Sequence, residues 1–183
     1  KFSGNESDQI GNDTYRSDGN TYNYSQVVQD LTSVTGNVQS LKNTVNELAA
    51  AGSTRTDFGL NQAQRVLDGD RQHGLGGARE EAKQVVVVFT DGEPSTFSNW
   101  SGGVAANAVN LAKDLKDDKV TVYTIGMFED ADPSDTDGRF NKYMNGVSSN
   151  YPNAEVTNWR GDRTQDWDDC KLGTRVTEGN YYF

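Results

Sequence analysis

The sequence is short of residues on which several common functions depend. Its 183 residues include one cysteine, Cys170, and one histidine, His73. No disulfide can therefore form within the chain, and no Cys/His cluster is present to bind zinc. Two interpretations of Cys170 stay open, a free thiol or a thiol paired outside the chain. His73 lies in a glycine-rich stretch without a supporting motif, so we expect a solvated loop residue rather than a catalytic base.

Excess positive charge and long apolar runs are also missing. Lys and Arg total 17 against 27 Asp and Glu, a net charge of −10. Such a chain repels nucleic acid phosphates and anionic lipid, so neither is an expected partner. No apolar run approaches the ~20 residues that span a bilayer.

The loops that bind phosphates or carry nucleophiles in many enzymes do not occur either. The sequence contains no Gly-x-Gly-x-x-Gly, Walker or Gly-x-Ser-x-Gly pattern. Residues 74–77 are glycine-rich but precede a predicted strand rather than a helix. These absences predict that the chain is not an enzyme.

A starting Met and a signal peptide are absent as well, so we expect a piece of a longer or processed chain. The abundance of Asn, Ser, Thr, Gly and Asp is common in extracellular proteins.

The clearest positive signal is the stretch at 83–95, Lys-Gln-Val-Val-Val-Val-Phe-Thr-Asp-Gly-Glu-Pro-Ser. Its unbroken apolar run predicts a central strand of a parallel sheet, buried on both faces. Gly92 and Pro94 then end the strand. Asp91 is thereby placed at the carboxyl end of a buried strand, where open α/β sheets bind ligands.

Before this strand we predict one edge strand and two helices. Residues 5–23 are read as a long loop, anchored by Tyr15, Tyr22 and Tyr24, between a strand tail at 1–4 and an edge strand at 26–31, which together suggest a hairpin. A first helix is predicted from the Asn37 cap to a Gly52 stop. A second helix is predicted to present Leu60, Ala63 and Leu67 on one face.

After the strand, apolar residues recur at helical spacing in two places and at strand spacing in one. Val104, Ala108, Leu111 and Leu115 predict a third helix that ends in the charged residues 116–119. A second buried strand is predicted at 120–125. A fourth helix is predicted on Phe140, Tyr143, Met144 and Val147. Residues 154–177 show no period, and 180–183 begin a last strand.

Strands that alternate with helices predict an α/β fold, a doubly wound, mostly parallel sheet flanked by helices with an antiparallel edge strand. No repeat or linker interrupts the chain, so a single domain over 1–183 is predicted.

Two polar turns present hydroxyl and carboxylate oxygens at the predicted sheet edge. Residues 52–60 read Gly-Ser-Thr-Arg-Thr-Asp-Phe-Gly-Leu and open the second helix, and 90–93 read Thr-Asp-Gly-Glu and end the strand. Such oxygens are the ligands that Mg²⁺ and Ca²⁺ prefer.

These two stretches resemble the von Willebrand factor type A (vWA) domain. The pattern Gly-x-Thr-x-Thr-x-x-Gly-Leu is similar to the family's second metal motif, and Val-Val-Val-Val-Phe-Thr-Asp-Gly-Glu-Pro is similar to its third. Residues 143–152, Tyr-Met-Asn-Gly-Val-Ser-Ser-Asn-Tyr-Pro, resemble a stretch in type A domains of Gram-positive surface and pilus adhesins.

The resemblance implies a metal-ion-dependent adhesion site with one divalent cation, Mg²⁺ or else Ca²⁺ or Mn²⁺. Thr54 would bind the metal through its hydroxyl, and Asp91 through its carboxylate, directly or through water. Glu93 is a weaker candidate at the rim. Asp57 is interpreted as favouring the start of its helix, where negative charge suits the backbone dipole.

The sequence departs from the family pattern at one motif. The first metal motif, Asp-x-Ser-x-Ser, does not occur in the 183 residues. Residues 1–4 match the end of the family's second strand. We therefore expect the first strand, its helix and the motif to precede residue 1, and the closing helix to follow residue 183; completion by another segment is the alternative. Since Mg²⁺ takes about six ligands, the site requires that motif.

The function implied is a metal-dependent adhesion domain of an extracellular, cell-wall or pilus-tip protein, with Gram-positive bacteria as the expected source. A host or extracellular-matrix protein is the expected partner, bound when its acidic side chain replaces a metal-bound water, and other pilus subunits are further candidates. The alternative is a mechanical vWA scaffold with an inactive metal site.

Three features keep open alternatives. The acidic stretch 129–137 is a solvated loop or a second cation site. Residues 160–162, Arg-Gly-Asp, are a chance match or an integrin-type ligand. Phe97 and Trp100 either contact a partner or fold back onto the core.

Overall fold

A computed structural model describes residues 1–7, 9–97, 99–176 and 180–182. The chain forms two compact units, the first made of Lys1–Ala82 with Thr96–Ser98 and the second of Lys83–Ser95 with Asn99–Phe183. The prediction of a single domain stays a prediction. The elements, in chain order, are β1 (Gln9–Ile10), β2 (Thr14–Ser17), β3 (Asn20–Asn23), β4 (Gln26–Val27), α1 (Val38–Asn46), α2 (Thr56–Asp68), a 3₁₀ turn (Arg71–His73), β5 (Val85–Thr90), β6 (Ser95–Thr96), β7 (Asn99–Trp100), α3 (Gly102–Asp117), β8 (Thr121–Gly126), α4 (Arg139–Val147), β9 (Glu155–Val156), a 3₁₀ turn (Trp167–Asp169) and β10 (Cys170–Lys171).

The first unit contains a hairpin where the sequence predicted a loop. β2 and β3 pair antiparallel, joined by Asp18 and Gly19 at φ 49° and 81°. Two successive positive φ values are those of a type I′ turn, for which Asp-Gly is a favoured sequence. The loop prediction for 5–23 is therefore wrong. The three tyrosines predicted to anchor this segment contact one another, with the Tyr15 ring 5.7 Å from that of Tyr22 and 4.8 Å from that of Tyr24.

The predicted edge strand at 26–31 is shorter than expected. Only Gln26 and Val27 form β4, which pairs parallel with β1. Leu31 is 52% exposed, because the polar residues after Val28 provide no further apolar face. Residues 1–4 form no strand, although Lys1 accepts a backbone hydrogen bond of 3.0 Å from Gln26.

Helix α1 is confirmed, but its ends differ from the prediction. Asn37 precedes the helix without capping it through its side chain, and Glu47, not Gly52, follows its last residue. Its apolar stripe is exposed, with Val38 at 52% and Val45 at 65%.

Helix α2 is also confirmed, and it packs by its Leu60 face. Leu60 is 1% exposed. A Cβ added at Gly59 would lie 2.7 Å from the Phe2 ring, so glycine allows this close approach. Gly69 at φ 82° ends the helix, since this conformation favours glycine.

The second unit is organised around β5 and β8, which pair parallel over their full length, Val85 opposite Thr121 through Thr90 opposite Gly126. Tyr182 adds a parallel bridge at Thr124, in line with the last strand predicted at 180–183; Phe183 lies outside the described residues. The prediction that β5 is buried on both faces is wrong. Its side chains alternate, and Val85, Val87 and Phe89 are 45%, 55% and 57% exposed.

The covered face of this sheet forms the core with α3 and α4. Val109 and Leu115 of α3, Val122 of β8, and Met144 and Val147 of α4 are all 0% exposed. The predicted third and fourth helices and second strand are therefore confirmed, because the apolar positions that defined them face one another.

Lys116, expected in a charged helix end, is instead 9% exposed. Its ammonium donates to the carbonyls of Gly146 at 2.8 Å and Tyr151 at 3.0 Å, and burial lowers the pKa of Lys116 to about 7. These bonds satisfy backbone oxygens at and beyond the end of α4.

The stretch at 154–177, which showed no period, contains a short antiparallel pair, β9 with β10. Asn110 of α3 holds β9 by accepting from the Val156 amide at 2.9 Å and donating to its carbonyl at 3.1 Å. Thr177 lies outside the described residues.

Candidate metal centre

Thr54 lies in the first unit, in the turn directly before α2, and its side chain is half-buried. The preceding residue fixes this turn from one side. Ser53 is 8% exposed, and its Oγ accepts a hydrogen bond of 2.7 Å from the amide of Phe97. The position of Thr54 before a helix is therefore as predicted.

Arg55 and Asp57 fix the turn from the other side. Their side chains form a two-bonded ion pair, with Nε to Oδ1 at 2.9 Å and Nη2 to Oδ2 at 2.8 Å, and are only 14% and 5% exposed. The guanidinium also lies 3.6 Å from the Phe58 ring centroid, and Asp57 Oδ1 accepts from the Phe58 amide. Asp57 thus lies in the first turn of α2, as predicted, and its charge is neutralised within the protein.

Glycine at position 52 is required by both backbone and packing. Gly52 has φ 131°, and an added Cβ would lie 2.8 Å from the Ser3 carbonyl oxygen. The family-like glycine therefore serves the turn itself rather than ending α1.

Thr56 is a further candidate that the sequence analysis did not single out. It is 1% exposed, and its hydroxyl has no hydrogen-bond partner within the described part of the chain. An unpaired buried hydroxyl is costly, so a bound ion or water there would be stabilising. An oxygen atom of this kind fits a Mg²⁺ or Ca²⁺ site. The sequence signal was the second threonine of the Thr-x-Thr pattern.

Asp91 lies in the second unit, immediately after β5, and its side chain is exposed. Thr90 shapes the turn, because its Oγ1 accepts from the Gly92 amide at 3.2 Å and donates to the Gly92 carbonyl at 3.0 Å. The Asp91 carboxylate receives no hydrogen bond from any described residue. It is therefore available to a ligand at the carboxyl end of the strand, where it was predicted.

Glu93, the weaker candidate, is bound by an arginine side chain. Its carboxylate accepts from Arg139 Nη2 at 2.7 Å and 2.9 Å. Arg139 in turn lies 4.7 Å from the Trp100 ring centroid. Glu93 is thus held in an ion pair at the surface. Because Thr54 and Asp91 lie in different units, their sharing of one cation stays a prediction.

The acidic loop uses its carboxylates to bind its own backbone. Asp135 accepts from the amides of Gly138 and Asp137 and from the side chain of Asn141, and these bonds lower its pKa. Within the described ranges, no group of three or more His, Cys, Asp or Glu side chains is arranged to bind a metal.

Cys170, His73 and the Arg-Gly-Asp stretch lie in three different environments. Cys170 is a free, buried cysteine, and burial raises its pKa to about 11. His73 is half-exposed and lies 2.7 Å from Asp70, which also binds Arg65. Gly161 lies at the tip of an exposed turn with φ 85°.

The comparisons with known proteins give one family. The model of the von Willebrand factor type A domain matches residues 2–160. No curated protein matches the chain. Among solved structures, proximal thread matrix protein 1 from the mussel byssus is 18% identical over 60% of this chain and 24% of that chain, with a TM-score of 0.39. The chain thus spans about a quarter of that protein. Among the described residues, no helix is long and apolar enough to cross a membrane.

Proposed function

Because the chain belongs to the von Willebrand factor type A domain family, we propose that it binds a protein ligand through a divalent cation held by Thr54 and Asp91. Members of this family often mediate adhesion or ligand binding, and they are typically extracellular. The observation that carries the proposal is the exposed Asp91 carboxylate, which accepts no hydrogen bond from the described residues and follows β5 directly.

Each residue has a distinct part in this proposal. The Thr54 hydroxyl contributes a neutral oxygen from a turn that Ser53 and the Arg55–Asp57 pair hold in place. The Asp91 carboxylate contributes negative charge. The cation supplies a positive centre to which an acidic side chain of the partner binds. The remaining ligands would be those of the family's first metal motif, Asp-x-Ser-x-Ser.

The biological setting is part of the same proposal. We place the domain on the surface or pilus of a Gram-positive bacterium, with a host or extracellular-matrix protein as partner and other pilus subunits as further candidates. The support is the resemblance of residues 143–152 to such adhesins. Catalysis is not part of the proposal.

A mechanical scaffold with an idle metal site is the second candidate. The exposed apolar stripe of α1 and the exposed face of β5 favour it, because they suit packing against other protein rather than ligand capture. In this case the addition or removal of Mg²⁺ would leave both the binding of protein partners and the stability of the domain unchanged.

Calorimetric titration of the full-length protein with MgCl₂ distinguishes the two candidates. Thr54→Val and Asp91→Ala should each weaken Mg²⁺ binding at least about tenfold, since even indirect ligand support is worth that much. Asp162→Ala removes another exposed turn carboxylate and should leave the affinity unchanged. Equal affinities for all four proteins, or no Mg²⁺ binding at all, would overturn the metal-dependent function.

A further inference from the structure

The two aromatic residues that follow the Asp91 turn have opposite environments. Trp100 is half-buried, with its ring 6.4 Å from Tyr143 and 5.5 Å from Trp167 in edge-on contacts. Phe97 is 65% exposed. Of the two alternatives for this pair, Trp100 folds back onto the core and Phe97 does not.

Phe97 is exposed on a backbone that disfavours it. Its φ is 67°, in the left-handed region where a bulky residue is a genuine outlier and Asn or Gly is expected. Strain of this kind persists where surrounding structure holds it, and it clusters at ligand-binding sites. Neither core packing nor turn chemistry therefore explains a phenylalanine at this position.

A hydrogen bond ties Phe97 to the turn of the proposed metal ligand. The Phe97 amide donates to Ser53 Oγ at 2.7 Å, and Ser53 directly precedes Thr54. Standard backbone dimensions then place the Cα of Phe97 within about 10 Å of the Cα of Thr54. Both residues belong to the first unit, so the exposed Phe97 is anchored beside the turn that carries Thr54.

We propose that Phe97 is an apolar anchor for the partner, which presents an acidic side chain to the cation and an apolar side chain to Phe97. This inference rests on the proposed function and specifies its partner, a protein segment in which Asp or Glu has an apolar residue close by. Aromatic side chains are the common anchors of protein interfaces. An exposed ring beside a charged metal discriminates such a segment from a purely acidic one.

The test is an array of decapeptides, each with one central Glu and one Phe placed in turn at every other position in a Gly/Ser background. Full-length protein is applied in MgCl₂ and in EDTA. We expect Mg²⁺-dependent binding to peptides whose Phe lies near the Glu, at least about tenfold above the peptide without Phe. Phe97→Asn should remove this preference, while its melting temperature stays equal or rises, since Asn tolerates positive φ. Val45→Ser, at a residue also 65% exposed, should retain the preference.

The failures are distinguishable. Mg²⁺-dependent binding that ignores the peptide's Phe, or that Phe97→Asn leaves intact, overturns the anchor and keeps the proposed function. If the protein binds Mg²⁺ through Thr54 but retains no peptide of the array, the anchor is overturned and the metal site is not. If Mg²⁺ binding does not depend on Thr54, both the anchor and the proposed function are overturned.

Discussion

The turns that carry Thr54 and Asp91 are built in different ways. The residues around Thr54 are held by contacts with other residues. Gly52 packs against the Ser3 carbonyl, Ser53 accepts a hydrogen bond from the Phe97 amide, and Arg55 forms an ion pair with Asp57. The Asp91 turn is shaped by Thr90, and the Asp91 carboxylate is left exposed. A threonine hydroxyl is a weak, neutral ligand and gains most from being held in place, whereas a carboxylate attracts a cation by its charge. The difference indicates that the first turn holds the Thr54 hydroxyl in a fixed position, whereas the second leaves the Asp91 carboxylate accessible to a ligand.

The largest expected effect tests this contrast with two aspartates. Asp57→Ala leaves the Arg55 guanidinium buried without its partner, which should lower the free energy of unfolding by about 3 kcal/mol. Asp91→Ala removes an exposed carboxylate and should change it by less than about 0.5 kcal/mol. Urea unfolding followed by circular dichroism measures both. Equal losses would mean that the two turns are not built differently.

A smaller effect is expected at Gly52. Alanine there adopts φ 131° and meets the Ser3 carbonyl at 2.8 Å, so Gly52→Ala should cost about 2 kcal/mol. Gly36, at φ 79° with nothing within 4 Å of an added Cβ, is the comparison, with less backbone strain and no steric contact. Gly36→Ala should cost only the backbone strain, about 1 kcal/mol. A Gly36 cost that equals or exceeds the Gly52 cost would show that the turn is not packed against Ser3.

The smallest effect concerns Ser53. Ser53→Ala removes one hydrogen bond to the Phe97 amide and should cost about 1 kcal/mol. Hydrogen exchange gives the sharper readout, because the Phe97 amide should exchange faster in the variant. The Val104 amide, which donates to Ser101 Oγ, should be unaffected. An unchanged exchange rate of the Phe97 amide would contradict the hydrogen bond to Ser53 on which the proposed anchor depends.

The sequence predicted the elements whose apolar residues are buried together. The predicted bounds of α2, α3, α4 and β8 agree with the structure to within a few residues, because Leu60, Leu115, Val122 and Met144 each lie on a covered face. The hairpin was missed although Asp18-Gly19 signals it, since its strands are polar and show no apolar alternation. The exposure of one face of β5 could not be read from an unbroken apolar run.

The candidate site was predictable one residue at a time. The positions of Thr54 before α2 and of Asp91 after β5 follow from element boundaries, which sequence patterns report. Their roles as metal ligands were implied only by the resemblance to the vWA family. The unpaired Thr56 hydroxyl and the positive φ of Phe97 depend on tertiary surroundings. The engagement of Glu93 by Arg139 joins residues 46 positions apart, and no local pattern indicates it.

The central claim is that Thr54 and Asp91 share one cation, and Mn²⁺ titration of the isotope-labelled full-length protein followed by NMR tests it most directly. Paramagnetic broadening should remove the amide signals of both residues together, and Asp91→Ala should abolish the broadening at Thr54. Broadening confined to one of the two residues, or persisting at Thr54 in the Asp91→Ala protein, would contradict the claim.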